Sequence, residues 1–146
     1  MATPYEKIYS SFLQRVEMED FNSFTEDEQN EMLLQWMNSA LGYIELNGLD
    51  IVHDLSRRDD TFEEFEEDLK QFEIEIIALY MVVAWYEPRI NGLEHTLLMV
   101  GSSGEKWTNQ QKHWTSMVEV RNAVAHEARA LVREYRYRNN DYLDKR

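Results

Sequence analysis

The chain has 146 residues, a formal net charge of −13 and no cysteine. This length indicates a single domain, since domains of about 100–200 residues are typical, and the lack of cysteine excludes disulfides and thiolate chemistry. The acidity argues against sequence-independent binding to nucleic acid, which is driven by cations placed on phosphates.

The charge is unevenly distributed along the chain. Residues 1–75 hold 20 acidic and 5 basic side chains, whereas residues 76–146 hold 8 and 10. The last eighteen residues, from Arg129, carry 6 basic and 3 acidic side chains. Either the acidic half is a solvated face, or it lines a passage through which DNA moves without sticking. The first residues lack a basic and then apolar leader, so we expect no export by that route.

Two helix starts are indicated in the first half of the chain. Thr3–Glu6 places a threonine N-cap before proline, with glutamate three residues after the cap, and predicts a helix to about Met18. Thr25–Glu28 has the same capping pattern and three carboxylates that complement the helix dipole. It predicts a second helix that ends near Gly42, a plausible C-cap.

The stretch from residue 43 to residue 60 loses helical periodicity and is predicted to form turns and solvated loop, with His53 among them. Six carboxylates lie between Glu63 and Glu73. Three apolar residues lie within or beside this acidic stretch: Phe62, Phe65 and Leu69. They fit either an acidic helical lead-in or a loop whose apolar side chains pack on the core.

The segment Ile76–Tyr86 consists of eleven apolar or aromatic residues without a break. As a helix it covers roughly half of a bilayer, so it is not expected to span a membrane. We predict a central helix over Leu69–Glu87, closed by Pro88 and Asn91-Gly92 and followed by a short helix. Because a helix that is apolar on all sides must be covered, the other elements are expected to surround it.

The last helix is predicted to begin at Thr108 and to run for about thirty residues, since no proline or glycine interrupts the chain after Glu105. The fold class is therefore all-α: a bundle of four to five helices in one domain, 1–146, with a long C-terminal helix. Residues 133–146 are expected to project beyond it, so that a chain cut after Val132 would stay folded.

Arginine and tyrosine are enriched in interface hot spots, and both are frequent in this projecting segment. The alternative is a frayed, solvated end. The predicted partner-binding residues are Arg133, Tyr135, Arg136, Tyr137, Arg138 and Tyr142.

Signs of catalysis or of a cofactor are few. The four histidines lack the spacing of a metal site, and the chain has no glycine-rich nucleotide-binding loop or nucleophile elbow. We therefore expect no metal, no cofactor and no enzymatic activity. These histidines are His53, His95, His113 and His126.

One local pattern supports an alternative. Arg121–His126 reads Arg-Asn-Ala-Val-Ala-His, which resembles the active-site motif of HEPN-domain ribonucleases. The resemblance implies an all-α dimer in which Arg121 and His126 act on an RNA phosphodiester, a chemistry that suits an arginine and a histidine. The other interpretation is that both are ordinary residues of the last helix.

A wider resemblance covers about two-thirds of the chain and leaves the acidic middle outside. It lies in these segments: Thr3–Tyr9, Phe12-Leu13, Glu73–Ala78, Met81–Trp85 with Pro88 and Ile90, Lys106, Asn109-Gln110, His113, and Tyr135–Asn139. They are similar to small proteins from the structural gene blocks of tailed bacteriophages, the head–tail connector, adaptor or neck proteins.

This resemblance implies a helical subunit that forms a homo-oligomeric ring under the portal, through which DNA passes without specific binding. The implied partners are further copies of the chain, the portal protein and the next neck or tail-completion protein, with no membrane. The C-terminal segment would dock on the portal or on the adjacent subunit. The implied location is the virion, assembled in the cytoplasm of the host bacterium.

Overall fold

A computed structural model describes residues 2–18, 21–46, 53–100 and 104–138. The prediction of a mainly helical fold is confirmed, although the structure adds a small three-stranded sheet that was not predicted. The α-helices of these residues are α1 (Tyr5–Leu13), α2 (Glu26–Leu46), α3 (Gln71–Val100) and α4 (Glu105–Arg138), with a short 3-10 helix at Phe21–Ser23. The strands are β1 (Thr3–Pro4), β2 (Arg58–Asp59) and β3 (Glu64–Phe65).

Helix α3 is the element that the other helices contact. It packs against α1, α2 and α4, and α4 makes its extensive contacts with α3 rather than with α1 or α2. Every residue of Ile76–Trp85 is at most 8% exposed, as expected for a helix that is apolar on all sides. The predicted burial of this run is therefore confirmed, except at Tyr86, which is only half-buried.

The predicted end of the central helix at Pro88 is wrong, because α3 continues through this residue to Val100. Pro88 has no N–H to donate to the carbonyl of Ala84, which normally costs stability inside a helix. The guanidinium of Arg89 donates a hydrogen bond of 2.8 Å to the neighbouring carbonyl of Trp85. It also lies 3.9 Å from the centre of the Trp85 ring. These contacts and the packing against α4 support the helix across the proline.

Helix α2 begins as predicted and ends later than predicted. The Thr25 hydroxyl accepts from the Glu28 N–H at 3.3 Å, and the Glu28 carboxylate accepts from the Thr25 N–H at 3.0 Å, which is the reciprocal capping box. The end predicted at Gly42 is wrong, since the helix reaches Leu46. The apolar stripe continues to the buried Ile44, and its burial outweighs the cost of a glycine within a helix.

The chain before α1 is extended, so the predicted cap at Thr3 is wrong. Pro4 occupies the N-cap position with φ −68° and ψ 144°, and a residue that precedes proline is itself biased toward extended conformations. The Thr3 hydroxyl donates to the Glu67 carbonyl at 2.9 Å and accepts from the Leu69 N–H at 2.8 Å. Helix α1 ends at Leu13, well before the predicted end.

The small sheet joins the start of the chain to the acidic middle. β3 lies between β1 and β2 and pairs antiparallel with both, with Thr3 and Arg58 each opposite Phe65. Of the two interpretations left open for the acidic stretch, the loop is correct. Phe65 and Leu69 are 1% and 7% exposed, whereas Phe62 is 74% exposed.

The last helix begins earlier than predicted, at Glu105, and spans 34 residues. Thr108 lies inside its first turns, where its hydroxyl donates to the carbonyl of Gly104 at 3.1 Å. Gly104 has φ 119°, a conformation that favours glycine, and it therefore marks the turn into α4.

Candidate functional site

The C-terminal end of α4 carries most of the predicted partner-binding residues, and the structure corrects one of them. Tyr135 is 1% exposed, and the centre of its ring lies 6.4 Å from that of Phe72. Because α4 runs back alongside the start of α3, its last turns are covered by the body of the protein. Ala128 and Val132 on the same face are also buried. The expected exposure of Tyr135 is therefore wrong.

Other members of the predicted set lie on the outer side of α4. Arg133 and Arg136 are exposed. The side chains of Tyr137 and Arg138, and Tyr142 as a whole, lie outside the described residues, as does most of the segment 133–146 that was predicted to project.

Three exposed arginines form one face of α4, which we call the arginine face: Arg129, Arg133 and Arg136. Their spacings of four and three residues place them on the same side of a helix. His126 precedes them at the same spacing and is also exposed. The positive charge of Arg129 lowers the pKa of Tyr80, which burial raises more strongly, so this arginine also acts on the core.

Arg121 of α4 forms a contact with α3. Its guanidinium donates to a Glu87 carboxylate oxygen at 3.1 Å and to the Asn122 side-chain oxygen at 3.2 and 3.3 Å. His126 is exposed and lies about 140° further around the helix axis, from a rotation of about 100° per residue. The two side chains therefore do not converge within one chain.

Sequence reasoning assigned His53 to solvated loop and missed its contact with the core. Its Nδ1 lies 2.6 Å from Oε1 of Glu73, a carboxylate that is 0% exposed. The same oxygen accepts from the Lys70 N–H at 3.1 Å, which is the N3 half of a capping box at the start of α3. The contacts hold the loop before α3 against the helix. Glutamate three residues after Lys70 was the available signal for the cap.

A cavity of about 640 Å³ opens between the connection from α1 to α2, the middle of α2, the proline-containing part of α3 and the first half of α4. Most of the side chains that line it belong to aromatic residues or methionines. We call it the aromatic pocket, and its residues are Glu17, Met18, Phe21, Phe24, Met32, Trp36, Trp85, Arg89 and His113.

The aromatic pocket has few polar groups. Trp85 is 8% exposed, and its indole N–H has no acceptor in the described part of the chain. The guanidinium of Arg89 stacks on the same ring, and partial burial lowers the pKa of this arginine. The site therefore combines an apolar surface with one cationic group, Arg89, one carboxylate, Glu17, and the imidazole of His113. Sequence analysis missed it because its residues come from four separate segments.

Among residues 2–18, 21–46, 53–100 and 104–138, no group of three or more histidine, aspartate or glutamate side chains could hold a metal ion. None of the helices in these ranges is long and apolar enough to cross a membrane. A scan against protein-family models and searches of curated proteins and of solved structures find no match.

Proposed function

We propose that the chain is a structural subunit of the neck of a tailed bacteriophage, in which copies form a ring beneath the portal, join head to tail and let DNA pass. Its sequence resemblance to head–tail connector proteins suggests this role. The structural observation that carries the proposal is that exposed arginines lie on one helix, α4, and exposed carboxylates lie on another, α2, with which α4 makes no extensive contact.

Exposed carboxylates in two parts of the chain form what we call the acidic surface, and only its α2 part lies on a helix with which α4 makes no extensive contact. The first turns of α2 and the segment before α3 hold these exposed carboxylates: Glu26, Asp27, Glu28, Glu31, Asp54, Asp60, Glu63, Glu66 and Asp68. Helix α4 packs on α3 and has no extensive contact with α2. The arginine face and the carboxylates of α2 could therefore pair between two copies of the chain.

A contact between two different surfaces of one chain is heterologous, and repeated copies close into a ring when the rotation allows. In such a ring the remaining acidic surface would repel DNA phosphates, which suits passage without binding. The portal and the next neck or tail-completion protein would contact the two rims. This assembly belongs to the virion and forms in the bacterial cytoplasm.

The alternative, a HEPN-like ribonuclease, receives less support from the geometry. Arg121 is held by Glu87 and Asn122, so it would have to break a bond between helices to reach a phosphate. A nuclease also requires a cationic surface near its site, which the arginine face beside His126 would supply, so it is the engagement of Arg121 that counts against this alternative.

Self-association tests the proposal. Wild-type protein is expected to sediment as a ring-sized oligomer at low salt and to dissociate as salt rises from about 0.05 M to about 0.5 M, because exposed charges are screened. The variant Arg129→Glu/Arg133→Glu should associate about tenfold more weakly or worse. The single variant Arg133→Glu should also associate more weakly, and Lys112→Glu, an equal reversal at an exposed position on α4 outside the arginine face, is its matched control and should retain the wild-type oligomer.

A reciprocal exchange sharpens this test. The variant Asp27→Arg/Glu31→Arg reverses two exposed carboxylates of α2 outside the capping box, and mixing it with Arg129→Glu/Arg133→Glu should restore association that neither has alone. If the wild type stays monomeric and cleaves RNA, and the variant Arg121→Ala/His126→Ala abolishes that cleavage, the neck proposal is wrong and the ribonuclease alternative replaces it.

A further inference from the structure

The carboxyl group of Glu73 is a buried titratable group that the proposed function does not use. Its side chain is 0% exposed at the start of α3. Its Oε1 atom lies 2.6 Å from Nδ1 of His53 and accepts from the Lys70 N–H, whereas its Oε2 atom has no partner in the described part of the chain. A buried carboxylate is costly when ionised unless a positive charge or a proton accompanies it. His53 is the side chain placed to provide either.

A proton shared by the two side chains meets this requirement. Either the imidazole carries it and donates to Glu73, or Glu73 carries it and donates to Nδ1 of His53, and the two forms differ only in the position of one proton. In an unfolded chain near pH 8 the same two groups hold no such proton, since a free glutamate titrates near about pH 4 and a free histidine near about pH 6.5. The folded chain therefore binds one proton more than the unfolded chain at this pH.

The charges around His53 favour the extra proton. Its Nε2 atom lies 3.7 Å from Oε2 of Glu67, so an imidazolium would lie between two carboxylates. Arg57 also pairs with Glu67, through the other oxygen, Oε1, at 3.1 Å. Three further charged groups border the cavity of about 330 Å³ beside His53, and two of the three are carboxylates: Glu45 of α2, Asp54 and Arg58.

The contact of His53 ties the segment before α3 to that helix. The segment spans residues 53–70 and contains β2 and β3. We propose that the proton shared by His53 and Glu73 is a pH-sensitive latch for this segment. While the proton is present, the segment packs on α3. When the proton is lost at alkaline pH, the buried carboxylate must be hydrated, and the segment separates from the helix. The latch lies within one chain and does not depend on the neck proposal.

Native-state hydrogen exchange of the full-length chain between about pH 6 and pH 8.5 tests the latch. The reporters are two amides of the segment, those of Glu66, which donates to the Arg57 carbonyl, and of Leu69, which donates to the Thr3 hydroxyl. After correction for intrinsic exchange, their opening equilibrium constant should rise with pH by up to about tenfold per pH unit, the value for release of one proton. The amide of Met81, in the buried centre of α3, should show a smaller rise.

The decisive variant is His53→Gln/Glu73→Gln. It removes both titratable groups, while the two amides can still bond to each other and to the Lys70 N–H. Its opening constant should change less than about twofold per pH unit, because no proton is then released. Glu94→Gln/His95→Gln makes the same two replacements at exposed positions of α3 and is the matched control, which should keep the wild-type slope.

Two results would overturn the latch. One is a wild-type opening constant that changes less than about twofold per pH unit, and the other is a double variant that retains the wild-type slope. If the double variant does not fold, Glu73→Gln alone decides. It should also flatten the slope, because His53 then lacks the buried charge that retains its proton, and an unchanged slope in this variant would exclude the shared proton as the cause.

Discussion

Tyr5 shows how a single side chain joins the start of the chain to the acidic middle. Its hydroxyl donates to a carboxylate oxygen of Asp60 at 2.6 Å, and its ring lies edge-on to Phe65 with the ring centres 5.1 Å apart. Burial raises the pKa of Tyr5, and the hydrogen bond and negative charge of Asp60 raise it further. The folded state therefore holds this phenol in its neutral form.

The raised pKa makes stability depend on alkaline pH. A folded pKa above the unfolded value of about 10 gives stabilisation that is complete below pH 10 and is lost as the pH rises beyond it. We expect Tyr5→Phe to lower the free energy of unfolding at neutral pH by about 1 kcal/mol, through loss of the hydrogen bond. The same variant should lose stability less steeply above about pH 10.

Urea unfolding measured between about pH 8 and pH 11 checks this. Burial also raises the pKa of Tyr9, so Tyr9→Phe should flatten the alkaline limb as well. Identical pH dependence in the wild type and Tyr5→Phe would show that Tyr5 does not contribute to it.

At the scale of elements, helix α3 continues through Pro88 although proline locally disfavours a helix, because packing with other elements stabilises it. Proline inside a helix costs about 3 kcal/mol or more. Fully burying one large aliphatic side chain contributes about 1.5–3 kcal/mol, and Ile90, two residues beyond the proline, is 3% exposed. The helix therefore stays continuous through Pro88, with Arg89 on the carbonyl of Trp85.

The start of α3 depends on Glu73. Replacing it with alanine removes the acceptor of the Lys70 N–H and of His53. We expect Glu73→Ala to lower the free energy of unfolding by about 1–3 kcal/mol, the usual contribution of hydrogen bonds to a charged group. Chemical denaturation measures this. Glu94→Ala, at an exposed position on the same helix, is the control and should change stability little; equal effects of the two would contradict the assigned role.

At the scale of the whole molecule, the C-terminal half of α4 is part of the core. A chain cut after Val132 was expected to stay folded, but it would lose Tyr135, which is 1% exposed. Removing a large buried aromatic side chain costs about 3–5 kcal/mol, against a total stability of about 5–15 kcal/mol. We expect truncation after Val132 to unfold the protein or to lower its melting temperature sharply, as Tyr135→Ala should also do.

Thermal denaturation followed by circular dichroism measures this effect. Truncation after Arg138 retains every buried residue of the described core and provides the control. A cut after Val132 that melts at the wild-type temperature would show that Tyr135 adds nothing to the core.

The candidate surfaces differ in how far the sequence predicts them. The charge difference between the two halves is a property of composition, and the spacing of Arg129, Arg133 and Arg136 follows from one helix. The sequence therefore predicts a cationic end to α4. The aromatic pocket was not predicted because residues such as Phe24, Trp85 and His113 meet only when separate elements pack.

The sequence by itself determined what neighbouring residues decide: the mainly helical fold, the capping box at Thr25 and Glu28, and the burial of Ile76–Trp85. Tertiary structure alone decided the continuity of α3 through Pro88 and the burial of Tyr135. Both depend on contacts between residues far apart in the chain. Packing of α3 against its neighbours offsets the local cost of Pro88, and the start of α3 covers Tyr135, a side chain that a helix standing alone would expose.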